Sequence, residues 1–75
     1  MNQQFIAHFA EALETNPAEL SADTEFKNLP NWDSLAALSV IAMVDEHYGA
    51  SIGGDELERA QTLADLWQAV SGKAA

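Results

Sequence analysis

Seventy-five residues without a cysteine allow one small domain held by packing, with no disulfide, no thiolate zinc site and little room for a deep catalytic cleft. Twelve acids against Lys27, Arg59 and Lys73, a formal net charge of −9, exclude nucleic acid and disfavour anionic membrane surfaces, because phosphate contacts need clustered basic side chains. The same field steers the chain toward basic patches on other proteins, speeding encounter more than adding affinity.

The opening residues, Met1-Asn2-Gln3-Gln4, carry neither the basic region nor the apolar run of a signal peptide, and no stretch reaches transmembrane length. A cytoplasmic protein is expected. Phe5, Ile6, Phe9, Ala12 and Leu13 recur at helical spacing and predict an amphipathic helix over 3–15, ended by Asn16-Pro17. Residues 17–33 read as a long loop, pinned to the core by Leu20, Phe26, Leu29 and Trp32; a loop of that length in a small domain is characteristically functional.

The strongest helical signal runs from Ser34 to Tyr48 and stops at Gly49, a residue suited to the left-handed turn that closes helices. A Gly53-Gly54 break leads into a short helical piece, Asp55 to Ala60. Thr62 and Asp65 are spaced as a capping box, and Leu63, Leu66, Trp67 and Val70 mark a last helix stopping near Gly72. No run reads as a strand. The expected fold is all-α: a four-helix bundle with three main helices and a short third one, forming a single domain over 1–75.

Chemistry concentrates in Trp32-Asp33-Ser34-Leu35, where the long loop meets the second helix. The residues leave two readings of Ser34 open. Either Asp33 or Ser34 is an ordinary N-cap, or Ser34 presents a hydroxyl at a helix start where free N–H groups and the helix dipole favour a phosphodiester. No His or Lys lies near it in sequence to serve as a base, so it reads as a substrate for another enzyme. Neither a carboxylate pair, nor a nucleophile with its base, nor a Gly-rich phosphate loop is present, and an enzyme is not expected.

With these segments in order, nearly the whole chain resembles the acyl carrier proteins. The resemblance rests on the first helix, Phe26 and Leu29 in the loop, Asp33-Ser34-Leu35, Asp45-Glu46, Tyr48-Gly49, Ile52, the acidic Asp55, Glu56 and Glu58, and Thr62-Leu63. It implies that Ser34 is esterified by 4′-phosphopantetheine, transferred from coenzyme A by a phosphopantetheinyl transferase, with Asp33 assisting the loading. It further implies that the arm's thiol carries acyl groups as thioesters between acyl-transferring, ketosynthase or ligase-type enzymes of fatty-acid, polyketide or other specialised pathways. A D-alanyl or aminoacyl/peptidyl carrier is the alternative, although Asn31-Trp32-Asp33 lacks the Gly-Gly of peptidyl carriers; an unmodified helical interaction module is the third. A monomer is expected.

The second helix departs from the fatty-acid members. Ala36, Ala37 and Ser39 stand where acids are usual, and nine of the ten residues from Leu35 to Val44 are apolar. That exceeds one buried stripe, so part of the helix should be an exposed apolar docking face. The expected docking residues are Leu35, Leu38, Ser39, Ala42, Asp45 and Glu46, with Asp55 and Glu56 as a second patch. His8 is expected on the surface of the first helix, His47 at the favourable C-terminal end of the second, and Trp67 in the core; no metal site is read.

Overall fold

The structure, a computed structural model, describes residues 2–73. Four helices follow in chain order: α1 (Gln3–Leu13), α2 (Ser34–Tyr48), α3 (Gly54–Arg59) and α4 (Leu63–Lys73), and no strand occurs among the described residues. Three long helices and a short third one form the bundle anticipated from periodicity.

α1 begins at Asn2, whose side chain accepts from the Gln4 amide at 2.8 Å. It ends at Leu13, two residues before the predicted end. The cause is Glu14, which adopts a left-handed conformation (φ 55°, ψ 43°) with its N–H on the carbonyls of Ala10 and Glu11. Thr15 adds a bond to Ala10 at 2.9 Å, so the closing motif is built without a glycine. Asn16-Pro17 instead starts a new turn, Pro17–Glu19, with the Asn16 side chain accepting from the Ala18 amide at 2.9 Å. A second tight turn covers Phe26–Asn28.

α2 runs over the predicted residues, and Gly49 closes it with φ 62°. α3 begins one residue earlier than expected, at Gly54, and ends at Arg59. The box at α4 forms as read: the Asp65 amide donates to Thr62 Oγ1, and Asp65 Oδ2 accepts from the Thr62 amide, each at 3.2 Å. The long loop completes this end, because the first two α4 amides, of Leu63 and Ala64, donate to the carbonyls of Thr24 and Ala22 at 3.0 Å. Helix-start donors that would otherwise be orphaned thus tie the loop to α4.

The core joins all four helices and the loop. Phe5, Phe9, Phe26, Val40, Val44, Leu63, Leu66 and Val70 are fully buried, and among the described residues no polar or charged one is buried with them. α1 packs chiefly along α2. Trp67 is half-buried, with its ring 5.0 Å from Phe5 and 5.5 Å from Tyr48.

Glu56 ties α3 to α4. Its carboxylate accepts from the Lys73 ammonium and from the Gly53 amide, while Lys73 also donates to the Ser51 carbonyl at 3.1 Å. The Lys73 hydrogen bond is the main cause that holds the Glu56 carboxyl below its ordinary value of 4.5. A carboxyl whose folded pKa is depressed stabilises the fold above its unfolded pKa and loses that contribution as pH falls through the folded one. Thermal melts of wild type and Glu56→Gln should therefore be separated at neutral pH and converge as pH drops below about 4.5. A gap that persists unchanged at low pH would show that the pair contributes nothing to the fold.

Candidate functional site

The loop reaches α2 along a fixed path. Phe26 is buried edge-on against Phe9 (centroids 5.6 Å) and Trp32 (5.1 Å), while Trp32 lies parallel to Phe9 at 6.4 Å. Next to it, Asn31 Nδ2 donates to the Leu13 carbonyl at 2.7 Å, tying the loop to the C-terminal end of α1. Residues 31 and 32 are thereby held from two sides, and Asp33 follows in extended geometry (φ −153°, ψ −172°).

Asp33 is the N-cap of α2: its Oδ1 accepts from the Ala36 amide at 2.8 Å, and its carbonyl accepts from Ala37 at 3.0 Å. This decides between the two caps left open by the sequence. Ser34 is the first helical residue, exposed, and its hydroxyl has no hydrogen-bond partner among the described residues. Capping therefore does not occupy Ser34 Oγ. The geometry fits a phosphodiester on that oxygen, since the first amides of a fifteen-residue helix and its positive dipole end lie beside it.

Ser34 sits at the edge of a groove of about 420 Å³ between α2 and α3. Trp32, Ala37, Leu38, Ile41 and Leu57 supply its apolar wall, and Lys27 and Glu58 its charged rim. Lys27 is the site residue that sequence spacing concealed, since nothing in the loop announces that it faces α3. Its ammonium donates to the backbone carbonyl of Glu58.

Outward from Ser34, α2 shows the apolar face anticipated from its composition. Leu35 is 73% and Leu38 62% exposed. Ser39, Ala42, Asp45 and Glu46 are exposed as well, while Ala36, Val40, Met43 and Val44 face the core. Two of the three acids on α3 are engaged within the chain: Asp55 pairs with Arg59 at 3.2 Å, and Glu56 with Lys73. The Asp55–Arg59 pair is exposed on both sides and contributes little to stability.

At the other end of α2 the structure corrects one expectation. His8 is not a free surface residue but half-buried, stacked on His47 at 3.9 Å and edge-on to Tyr48 at 5.9 Å. Antiparallel packing of α1 and α2 brings the two imidazoles together, and a single-helix reading of each could not show it. Among the described residues no group of three or more His, Cys, Asp or Glu is placed to hold a metal ion. No helix among the described residues is long and apolar enough to cross a membrane.

Comparison with known proteins agrees with this geometry. The family model described as "phosphopantetheine attachment site" matches residues 3–70. A segment of 3-methylorcinaldehyde synthase from Talaromyces stipitatus is 32% identical over 74 residues, 99% of this chain, although the chain spans only 3% of that synthase's length. Among solved structures, a holo acyl carrier protein from Geobacter metallireducens superposes with a TM-score of 0.77 at 23% identity, covering 93% of this chain and 80% of that one, and so shares the fold. An all-helical bundle with an uncapped serine at the start of its longest helix, matched along most of its length by the phosphopantetheine-attachment model, belongs to the acyl carrier protein family and carries phosphopantetheine covalently.

Proposed function

We propose that Ser34 is the attachment residue and that the chain presents acyl intermediates to partner enzymes through α2. The observation that carries this reading is the division of labour at the helix start: Asp33 takes the cap, leaving the Ser34 hydroxyl exposed and unbonded. Asp33 has a second carboxylate oxygen outside the cap bond, available to a transferase-bound magnesium ion, and it fixes the backbone from which Ser34 projects. The transferase supplies the base, since no side chain among the described residues is hydrogen-bonded to the Ser34 hydroxyl. The arm, when attached, supplies a thiol that carries the acyl group as a thioester.

The partners are a phosphopantetheinyl transferase and acyl-transferring, ketosynthase or ligase-type enzymes, met at the Leu35, Leu38, Ser39 and Ala42 face with Asp45 and Glu46 beyond it. The absence of acids between Leu35 and Val44 and the likeness to a segment of 3-methylorcinaldehyde synthase favour a specialised or polyketide pathway over housekeeping fatty-acid synthesis. A cytoplasmic setting accords with coenzyme A as the donor.

Incubation with an acyl-coenzyme A, magnesium and a broad transferase should add one acyl-phosphopantetheine, of which hydroxylamine removes only the acyl group. No gain of mass with transferases that load other carriers would end the proposal. Docking has its own test. Leu38→Glu should leave the helical signal unchanged, since the side chain is 62% exposed, yet lower the transferase kcat/KM. Losing roughly 1–2 kcal/mol of apolar burial corresponds to about 5- to 30-fold. Unfolding of the variant, or unchanged kinetics, would contradict an apolar docking face.

A further inference from the structure

Of the three Lys and Arg residues in the sequence, two are paired with carboxylates: Arg59 with Asp55 and Lys73 with Glu56. Among the described residues Lys27 has no carboxylate partner. It donates only to the main-chain carbonyl of Glu58, near the end of α3, and it does so across the groove on whose edge Ser34 lies. Lys27 is half-buried at that groove and its bond to Glu58 is exposed, which suits a basic residue that packs its methylenes and keeps its charge in water. The rest of the groove offers no positive charge, and Glu58 adds a negative one.

A phosphodiester on Ser34 brings a permanent negative charge to the same rim. In a chain of net charge −9 that anion is repelled from most of the surface and attracted to Lys27. A charged phosphate oxygen adds a Coulomb attraction to the ammonium that the neutral Glu58 carbonyl does not offer, so the phosphate competes with that carbonyl for Lys27. We infer that Lys27 is the counter-charge of the phosphodiester on Ser34, and that it draws the arm along the apolar α2–α3 groove. The inference rests on Ser34 being the attachment residue. Lys27 is a positioning residue, with no part in the transfer chemistry.

The test uses the loaded protein, its loading verified by intact mass and followed by phosphorus and side-chain nitrogen NMR. Loading should shift the Lys27 ammonium resonance. Lys27→Gln should move the phosphodiester resonance toward that of a free phosphopantetheine ester, and Lys27→Arg should restore most of the wild-type position. The arm's thiol should react with an alkylating reagent about two- to fivefold faster in Lys27→Gln, the range expected of an exposed ion pair. Salt gives an independent readout on the wild type. Raising ionic strength to about 1 M shortens the screening length to about 3 Å and should collapse its phosphorus shift onto that of Lys27→Gln. Unchanged Lys27 resonances on loading, or one phosphorus position shared by all three proteins, would overturn the inference while leaving the attachment reading intact. Failure of the wild type to load overturns both.

Discussion

Ser34→Ala should gain no mass when incubated with coenzyme A, magnesium and a transferase, and should still melt within about 0.5 kcal/mol of the wild type. Both halves follow from the position of the residue. The hydroxyl makes no bond that the fold uses, because the cap of α2 belongs to Asp33. Alanine is a good helix former at an exposed first-turn position, so its introduction disturbs nothing there. Removing the one oxygen that can be esterified is all-or-none for loading. Asp33→Ala should behave differently, losing the Ala36 bond at about 0.5–2 kcal/mol and slowing transfer without abolishing it. Continued loading of Ser34→Ala would move the attachment point elsewhere in the chain.

The second large effect concerns the platform rather than the reacting atom. Phe26→Ala should cost about 3–5 kcal/mol, the usual range for emptying a buried aromatic site. A chain of this length has roughly 4–11 kcal/mol in total, at about 0.05–0.15 kcal/mol per residue, so the variant should lose much of its cooperative unfolding. Phe26 is fully buried and touches Phe9 on one side and Trp32 on the other. Its loss frees the loop just before Asp33, so loading should slow even where the fold persists. Urea unfolding followed by circular dichroism measures the first effect, and single-turnover mass analysis the second. A midpoint shift equivalent to less than about 1 kcal/mol would show that the loop is held by other contacts.

What could be read from the sequence was what local side-chain chemistry decides. The bounds of α2, the left-handed Gly49 and the Thr62–Asp65 box each depend on residues within one turn of one another. So did the excess of apolar residues on α2, which could only end up exposed. The end of α1 was misplaced because Glu14 takes a conformation that favours glycine, held by carbonyls of the preceding turn. Choosing between Asp33 and Ser34 as the cap needed backbone angles, since either oxygen suits the role.

Contacts between distant segments were invisible for a different reason. Asn31 reaches Leu13 across 18 residues, Lys27 reaches Glu58 across 31, and His8 meets His47 only because two helices pack antiparallel. None of these has a spacing signal. The first two arise where the long loop folds back onto α1 and α3, and both decide how the site is built.

The most direct measurement is fragment-ion mapping of the wild-type chain after loading from coenzyme A. The account predicts one phosphopantetheine per chain, on Ser34 and on none of Ser21, Ser39, Ser51 or Ser71. An arm found on any other residue, or a chain that stays unmodified beside a carrier that loads, would contradict it.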